Sequence, residues 1–375
     1  MRTDVLIAGA GPAGAIAALV LARAGVRVTL VDRARFPRDK LCGDTINPGA
    51  LSILRGLGLE HVTQGGLPVR GMLVSGDGVK VTGAYDDGQC GIAISRRILD
   101  ERLVAAAAAA GARVEEGVLV QRPVTDVDGG AVLGLELSSH SGNVETRTAA
   151  VTIAADGRTS RVAKMTSLAR TPSRPRRWAV GAIFEGVSGL TRFGEMHVRG
   201  DRYVGIAPLP GGYANTCVVT ADRDALRDPD LLIRSLRRER DIAVRFAGAR
   251  MVSVVTVLGP LAIETTAAGM PGLLLAGDAA GFIDPMTGDG LRFAFRGGEL
   301  AALETLSALE QGWNGAHLRL LSARRHEFGA KWRFNRSLRA LASSPAAVRA
   351  AGLFASVSPA ALRHVIRYAG DAGLA

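Results

Sequence analysis

The sequence predicts an α/β fold in which a parallel sheet, assembled from distant segments, is joined to an inserted and mostly antiparallel second sheet. The first observation behind this prediction is a strand, a glycine turn, a helix and a second strand within Thr3–Asp32. The second is another short apolar run, Leu273–Leu275, that also leads into a glycine-rich bend and a long helix. Continuous apolar runs of this length are typical of parallel strands buried on both faces. Between them, residues 178–258 contain several predicted strands, the last of them Ala249–Val257, and one predicted helix at about 228–247.

The first bend has the residues that a dinucleotide-binding turn requires. Gly9 permits the tight turn, Gly11 lets the backbone approach a pyrophosphate, and Gly14 lets the helix pack closely on the strand. The phosphate charge would lie at a helix N-terminus, where unpaired N–H groups and the helix dipole favour an anion. Asp32 ends the second strand, where it can accept hydrogen bonds from ribose hydroxyls. The spacing therefore predicts a bound dinucleotide.

The second bend indicates which dinucleotide is bound. It reads GDAAGFIDPMTGDG over residues 277–290 and leads into a helix from Leu291. Asp278, directly after Gly277, can hold ribityl hydroxyls. The helix N-terminus at Gly288–Leu291 can direct N–H groups at a ring carbonyl that gains negative charge on reduction. A cofactor held by two polar bends far apart in sequence is FAD rather than NAD.

The order of predicted strands and a shift in composition near Thr171 divide the chain into three parts. The first is a discontinuous FAD-binding domain made of residues 1–68, 92–170 and 259–320. The second is a substrate domain made of residues 69–91 and 171–258, and the third is a C-terminal helical segment, 321–375. The arginines of Arg170–Arg177 at this boundary are interpreted either as a solvated linker or as a site for the 2′-phosphate of NADPH.

Charge and cysteine content narrow the classes of function. The net charge of +11, from 46 basic and 35 acidic residues, favours an anionic membrane surface or an anionic substrate. Nucleic acid is a poor candidate, because aromatic residues make up only 5% of the chain and no motif interleaves them with basic residues. Three widely spaced cysteines, Cys42, Cys90 and Cys217, form neither a CxxC metal pair nor a disulfide framework. We expect no metal site and a reducing cytoplasmic location.

Neither a signal peptide before Thr3 nor an apolar run of the roughly 18 residues that a membrane span needs is found in the sequence. Residues 321–375 are predicted to be helical, with nine Arg or Lys residues against Glu327 and Asp371. This pattern fits helices that cap the fold, a peripheral membrane contact, or an intersubunit role. The oligomeric state is left open.

Two polar segments near the first bend add candidate contacts. The loop after Asp32 contains Arg33 and Arg38, which are interpreted as phosphate or ribose contacts or as solvated side chains. Ser95 is predicted to be the N-cap of the next helix.

The segments GAGPAG, FPRDKLCGD, SRRILDERL, AADGRTS and GDAAGFIDPMTGDG together resemble the geranylgeranyl reductase family of FAD-dependent oxidoreductases, in the p-hydroxybenzoate hydroxylase-like superfamily. The resemblance covers essentially the whole chain. It implies a Rossmann-like FAD-binding domain, an inserted and mostly antiparallel β substrate domain over the flavin ring, and C-terminal helices. It also implies a hydrophobic small-molecule substrate and NAD(P)H as a transient electron donor.

The resemblance assigns roles to residues by motif position. The pyrophosphate would contact Gly9, Gly11, Ala13 and Gly14, and Arg96 would lie along the FAD phosphates. The ribose would contact Asp32, the adenine would contact Val120, and the ribitol would contact Asp278. The isoalloxazine would contact Pro285, Gly288, Gly290 and Leu291, and Asp156 and Gly157 would support the cofactor sheet.

Catalytic and substrate residues come from two further segments. Cys42-Gly43 matches a cysteine-glycine pair that family members carry beside the flavin, where Cys42 is either catalytic or an inert core thiol. Asp44, in place of a second glycine, either relays a proton or caps the helix from Asn47.

The aromatic-rich substrate strand of the family corresponds to Tyr203–Pro208. Tyr203 and Pro208 are kept there, but bulky aromatic residues are replaced by Gly205 and Ala207. This departure from the family pattern implies a wider pocket, which counts against a prenyl lipid and in favour of a polycyclic or polyketide-like substrate; both substrate classes stay open.

Several reactions are compatible with this site. One is reduction of a C=C bond, in which reduced flavin gives hydride and a nearby acid gives the proton. A second is NAD(P)H-dependent monooxygenation, although aromatic hydroxylases usually carry histidine where Gly281 follows GDAA here. Halogenation and a non-catalytic flavoprotein are the remaining alternatives, and the chain has no WxWxIP segment that would favour a halogenase.

Overall fold

A computed structural model of the chain describes most of its residues. The described ranges are 3–76, 79–85, 88–139, 142–173, 176–200, 202–223, 226, 228, 230–342, 344, 346–347, 349–350, 353 and 358–370. Arg174, one of the arginines at the predicted domain boundary, lies outside them.

A six-stranded sheet carries the nucleotide-binding segments, and its strands come from distant parts of the chain. In spatial order they are Gly269–Met270, Leu273–Leu275, Val151–Ala154, Val5–Ala8, Val28–Asp32 and Arg113–Glu116. The ladders are parallel except at Gly269–Met270. Val5–Ala8 is fully buried, as the apolar run predicts for a central parallel strand.

An eight-stranded, mostly antiparallel sheet forms the second layer. In spatial order its strands are Arg250–Met251, Trp178–Glu185, Tyr213–Thr220, Arg202–Pro208, Phe193–Val198, Gly71–Gly76 and Val79–Ala84, with Thr256–Leu258 also paired to Trp178–Glu185. Three smaller sheets complete the described strands. One consists of Leu119–Thr125, Val132–Ser138 and Val144–Thr148, and another of Thr45–Ile46, Gly91–Ala93 and Leu67–Val69. In the last, Ala169–Arg170 pairs with Glu264–Thr265.

Helices cover both sheets. The described α-helices are Pro12–Arg23, Pro48–Gly56, Arg96–Ala109, Arg161–Met165, Leu231–Arg237, Arg240–Phe246, Gly290–Gln311, Ala316–Ala342 and Pro359–Ala369. Short 3₁₀ turns lie at Glu60–Thr63, Pro210–Gly212, Gly277–Ala280 and Pro285–Thr287. Among the described residues, no helix is long and apolar enough to cross a membrane.

Successive side chains along the strand Trp178–Glu185 point alternately to the two faces of the second sheet. Val180 and Phe184 pack on the helices Leu231–Arg237 and Arg240–Phe246, where Phe184 meets Phe246 edge to face at 5.2 Å. Alternate side chains, such as Ala179, belong to a second apolar cluster on the opposite face. One face is therefore sealed by helices, and the other is free to bound a cavity.

The structure confirms the predicted α/β fold and corrects local details. The strand expected at 249–257 is interrupted between Met251 and Thr256. The helix expected at 228–247 is two short helices, Leu231–Arg237 and Arg240–Phe246. The sheets do not test the predicted domain boundaries, which stay predictions.

Candidate functional site

The two glycine bends lie side by side at the carboxyl ends of parallel strands. Val5–Ala8 leads into Gly9, and Leu273–Leu275 leads into Gly277, with Val151–Ala154 paired between them. A Cβ atom on Gly277 would lie 2.8 Å from the Cβ of Ala13. Ligands of open α/β sheets bind at this edge, so the topology brings the two predicted halves of a cofactor site together.

A single cavity of about 980 Å³ extends from these bends to the free face of the second sheet. Most of the predicted site residues line it: Gly9, Gly11, Ala13, Asp32, Arg33, Arg38, Cys42, Gly43, Arg96, Val120, Asp156, Tyr203, Gly277, Asp278, Pro285, Gly288, Gly290 and Leu291. Gly14, Asp44 and Pro208 are not among the lining residues. The cavity is large enough for a dinucleotide and a second small molecule to be neighbours.

The three exceptions have physical reasons. A Cβ atom on Gly14 would lie 1.9 Å from the Gly9 oxygen, so Gly14 permits the turn itself rather than facing the cavity. Pro208 is buried opposite Ala214 in the second sheet. Asp44 is buried behind the cavity wall.

The N-caps of two helices differ from those that the sequence predicts. Asn47, not Asp44, caps the helix Pro48–Gly56, because its Oδ1 accepts from the Ala50 N–H at 2.9 Å. The side chain of Ser95 makes no cap hydrogen bond, and Asp44 Oδ1 accepts from the Arg96 N–H at 3.3 Å instead. Asp44 therefore serves the start of the helix Arg96–Ala109.

The nucleotide end of the cavity is held by paired charges. Asp32 Oδ2 accepts from the Ala10 N–H at 2.8 Å, which ties the end of one strand to the first glycine turn. Asp100 is fully buried and accepts from Arg96 Nε at 2.7 Å, with Arg38 Nη2 at 3.1 Å. The two arginines together exceed the charge of one carboxylate, so this wall of the cavity is electropositive.

The residues present fit FAD. Gly11 leaves the cradle between the first strand and helix free of a side chain, and the nearest protein atom to a Cβ there would be 3.7 Å away. Two buried acceptors that line the cavity, Asp156 Oδ1 and Thr287 Oγ1, have no hydrogen-bond partner within the described part of the chain. Buried polar atoms normally have partners, so these atoms are suited to a polar ligand.

The second bend is fixed by Asp284. Its Oδ1 accepts from Tyr203 O–H at 2.7 Å and from the Met286 N–H at 3.1 Å, and its Oδ2 pairs with Arg177 Nη1 at 3.3 Å. Burial, with the neighbouring Asp284 charge, raises the pKa of Tyr203 well above its usual range. Tyr203 therefore stays protonated and donates its hydrogen bond to the carboxylate.

A second buried carboxylate, Asp289, stands immediately before the helix Gly290–Gln311. Its Oδ1 accepts from Asn47 Nδ2 at 3.2 Å and lies 3.5 Å from Lys331 Nζ. Its Oδ2 accepts from Asn335 Nδ2 at 3.5 Å. Lys331 also donates to the carbonyl oxygens of Tyr368 and Ala369, at 2.5 and 3.0 Å. The C-terminal helices are thereby tied to the bend that lines the cavity.

Residues 2–332 match the family described as FAD binding domain. The chain belongs to this family of FAD-dependent oxidoreductases. A menaquinone reductase from Mycolicibacterium smegmatis is 32% identical over 322 residues, which cover 80% of this chain and 76% of that protein. Digeranylgeranylglycerophospholipid reductase 1 from Methanopyrus kandleri is 31% identical over 333 residues, 83% of this chain and 82% of that protein. These relatives confirm the predicted membership of the geranylgeranyl reductase family.

Other relatives carry different names. Conditioned medium factor receptor 1 from Dictyostelium discoideum is 30% identical over 359 residues, and this chain spans 66% of its length, less than two thirds. Among solved structures, the flavin-dependent brominase Bmp2 has a TM-score of 0.85 at 20% identity, covering 99% of this chain and 94% of that one. A geranylgeranyl bacteriochlorophyll reductase-like protein from Thermoplasma acidophilum has a TM-score of 0.81 at 22% identity, covering 93% and 90%. At these identities the likeness is one of fold.

Two thiols lie in the wall of the cavity. Cys42 and Cys217 both line it. Cys217 is flanked by Gly205 and Gly181, and a Cβ on Gly205 would lie 3.2 Å from Cys217 Sγ. Burial raises the pKa of Cys217 to about 11, so this thiol is neutral at pH 7. The absence of a side chain at Gly205 leaves room in front of Cys217.

Asn215 links Cys42 to the buried carboxyl behind it. Its Nδ2 donates to the Cys42 carbonyl oxygen and to Asp44 Oδ2, both at 2.6 Å. Burial raises the pKa of Asp44 to about 7, and the hydrogen bond from Asn215 opposes that shift. Asp44 has φ of +51°, a conformation that Asp and Asn tolerate better than other side chains. The carboxyl thus supports the backbone around Cys42 rather than facing the cavity.

The arginines of Arg170–Arg177 do not form one open phosphate site among the described residues. Arg170 pairs with Glu264 at 3.2 Å, and Arg177 is buried against Asp284. Arg176 Nε donates to the Pro172 carbonyl oxygen at 3.3 Å. The interpretation of this segment as an NADPH phosphate site is therefore not favoured by the structure.

Sequence reasoning missed the residues that organise the second bend. Asp284 and Asp289 both lie within the glycine-rich segment 277–290, and this position is the sequence feature that could have identified them as site residues. Arg324 is one of the nine basic residues counted in the C-terminal segment, and the sequence assigns it no role at the site, but it is buried and its Nη2 donates to the Ala280 carbonyl oxygen at 2.7 Å. Burial lowers the pKa of Arg324 to about 10.

Proposed function

We propose that this protein is an FAD-dependent reductase of a C=C bond in a hydrophobic small molecule, either a prenyl lipid or a polyketide-like compound. The observation that carries the proposal is the shape of the cavity. One end has the two glycine bends and the paired charges, and the other end is an apolar sheet face with Cys42 between them. A cavity of this kind holds a cofactor and a hydrophobic substrate against each other.

The names of the relatives support the reaction class. The menaquinone reductase and the digeranylgeranylglycerophospholipid reductase are named for lipids with unsaturated isoprenoid chains. The apolar face in this chain includes Ala179, Val219, Leu258 and Leu261, which suit an aliphatic or alicyclic ligand. The absence of a side chain at Gly205, which lines the cavity, favours a ligand broader than a single extended chain.

Bound FAD, in its reduced form, would supply hydride to the substrate. The protein then has three tasks. Gly9, Gly11 and Asp278 bind the cofactor, the apolar sheet face orients the substrate and excludes water, and Cys42 gives a proton to the carbon next to the one that receives hydride. One hydride and one proton convert the C=C bond to a saturated CH–CH bond, and solvent returns the proton to Cys42.

We also propose NAD(P)H as the transient electron donor, a cytoplasmic location, and peripheral membrane contact through the basic C-terminal helices. The exposed arginines of the helix Ala316–Ala342 support the last of these. A soluble dinucleotide donor suits the cavity, because the positively charged groups of Lys40 and Arg158 line its nucleotide end. Loss of water around Lys40 lowers the pKa of its amine, and the nearby Arg96 adds to this.

The decisive experiment separates reduction from oxygenation. The purified flavoprotein is photoreduced without oxygen and mixed with a short-chain menaquinone or with geranylgeraniol in detergent. Reoxidation of the flavin, with a product whose isoprenoid chain is heavier by two hydrogens, supports the proposal; reduction of the quinone ring alone to the quinol does not. A product that gains oxygen after admission of air assigns a monooxygenase instead. Neither product with either probe, although the flavin is reducible, refutes reduction of this substrate class.

A further inference from the structure

One segment at the edge of the second sheet exposes an unusual run of apolar side chains. Met251, Val252, Val254, Val255 and Val257 are 39%, 38%, 80%, 38% and 49% exposed. They account for five of the sixteen large apolar side chains that are exposed among the described residues. The sequence from 251 to 263 contains no charged residue. Clustered apolar exposure of this kind marks an interaction surface, whereas single exposed residues do not.

The exposure follows from a break in the edge strand. Arg250–Met251 and Thr256–Leu258 both pair with Trp178–Glu185, and the residues between them bulge from the sheet. The bulge is anchored at two points: the Val252 N–H donates to the Ile183 carbonyl oxygen at 2.8 Å, and the Ile183 N–H donates to Ser253 Oγ at 2.9 Å. An exposed sheet edge is normally protected by charges or by a covering element. Here the bulge offers apolar side chains outward.

The exposed edge is continuous with the cavity. Thr256 and Leu258, in the same segment, line the cavity that holds the proposed substrate site. Leu338 and Leu341 of the helix Ala316–Ala342 line it too, and Leu341 is 37% exposed. The cavity is therefore bordered on two sides by apolar residues that also reach the surface. These residues offer a hydrophobic substrate apolar side chains between a lipid phase and the cavity.

The helix that supplies Leu338 and Leu341 also carries exposed positive charge, which suits an anionic surface. Arg333 and Arg336 of the same helix are exposed. Glu327, the acidic residue within Ala316–Ala342, is turned towards the protein, where it pairs with Arg292 at 2.9 Å and with Arg296 at 3.3 Å. Apolar side chains next to exposed basic ones are the combination by which proteins lie on anionic bilayers. A second copy of this chain would bring like charges together at the same place.

We propose that residues 251–257 form a membrane-docking edge that lies in an anionic lipid surface, with the basic face of Ala316–Ala342 against the headgroups. This inference rests on the proposed function, because a lipid-soluble substrate is what such an edge would deliver. It adds a specific insertion element to the general contact expected from the C-terminal helices.

The test is sedimentation of the flavin-loaded protein with phosphatidylglycerol-containing vesicles and with pure phosphatidylcholine vesicles. We expect wild type to bind the anionic vesicles, and V254D/V257D to bind them about tenfold more weakly, because two carboxylates are placed in the interface. The matched control is V127D/V144D, which adds the same charge at side chains that are 103% and 60% exposed elsewhere. It should bind almost as wild type does. R333Q/R336Q should weaken binding to anionic vesicles only, and by several-fold.

The experiment distinguishes failure of the docking edge from failure of the proposed reaction. Each variant is also assayed with geranylgeraniol dispersed in detergent, for which docking is not needed. Wild type that reduces this probe but binds neither vesicle overturns the docking edge alone. Wild type that binds anionic vesicles through Val254 and Val257 but reduces no probe leaves the edge standing and refutes the reaction. If V254D/V257D instead converts an oligomer to a monomer without altering vesicle binding, the edge joins copies of the chain and the proposal is wrong.

Discussion

Two glycines of the first bend should respond in opposite ways to the same substitution. Gly11 has φ −69° and ψ −179°, which alanine adopts without strain, and an added Cβ would be no closer than 3.7 Å to Arg38 Nη2. Gly14 is already in the helix, and a Cβ there would lie 1.9 Å from the Gly9 backbone oxygen. Gly11→Ala therefore changes the surface that a ligand meets, whereas Gly14→Ala forces the turn apart.

The magnitudes follow from these distances. Gly11→Ala should leave the unfolding free energy of the apoprotein within about 1 kcal/mol of wild type, because reduced freedom of the unfolded chain offsets a slightly poorer N-cap. Its methyl group keeps a pyrophosphate from the N–H groups of the turn. Each hydrogen bond to a charged group is worth about 1.5–3 kcal/mol, so FAD affinity should fall at least about tenfold. Gly14→Ala should cost about 3 kcal/mol of stability in the absence of FAD, because a backbone atom cannot move aside cheaply.

The assay compares two readouts on the same preparations. Apoprotein is titrated with FAD to give Kd, and urea unfolding of apoprotein gives the free energy of unfolding. Wild-type affinity in Gly11→Ala would refute the placement of the pyrophosphate at this turn. Unfolding of Gly11→Ala as severe as that of Gly14→Ala would show that the contacts around the two glycines have been misread.

Three further changes test the substrate side. Cys42→Ala should keep FAD bound but slow turnover at least about tenfold in single-turnover reoxidation, and unchanged turnover would remove Cys42 from proton transfer. Gly205→Trp should lower kcat/KM more for a polycyclic substrate than for a linear prenyl alcohol, because the ring occupies the space before Cys217; equal losses would contradict this. Asp44 has a pKa raised to about 7, so its contribution to stability is present at low pH and is lost as pH rises towards 7. Asp44→Asn should therefore remove about 3 kcal/mol of pH dependence in urea unfolding between roughly pH 5 and 8, and an unchanged pH profile would refute the burial of that carboxyl.

The parts of the fold that sequence predicted are those with a local physical signature. The apolar run Val5–Ala8 is typical of a buried strand, and Gly9, at φ +96° and with the Ala155 oxygen 2.5 Å from where a Cβ would be, supplies a turn that no side chain would allow. The same reasoning found Leu273–Leu275 and the bend after Gly277. Both bends then had to meet, because adjacent parallel strands end at one edge of a sheet.

The parts that sequence could not predict depend on partners far along the chain. Tyr203 and Asp284 are 81 residues apart, and Asn47 and Asp289 are 242 residues apart, yet each pair is joined by a buried hydrogen bond. Nothing in the local pattern shows which acid of a polar bend will be buried. Strand propensity also failed at Val254, because valine at a sheet edge favours a strand whether or not the edge is bulged.

Lys331 shows why the C-terminal segment is part of the site rather than a cap on it. A lysine with 3% of its surface exposed would be costly without partners, and here it joins Asp289 to the carbonyl oxygens at the end of the helix Pro359–Ala369. That helix packs so closely that a Cβ on Gly83 would lie 2.9 Å from Ile366, which itself lines the cavity. Displacement of the helix Pro359–Ala369 would therefore remove two carbonyl partners from the buried Lys331–Asp289 pair, which stands beside the second bend. The C-terminal segment, for which the sequence leaves a capping, a membrane-contact and an intersubunit role open, thus supplies both a wall of the cavity and the counter-charge of its second bend.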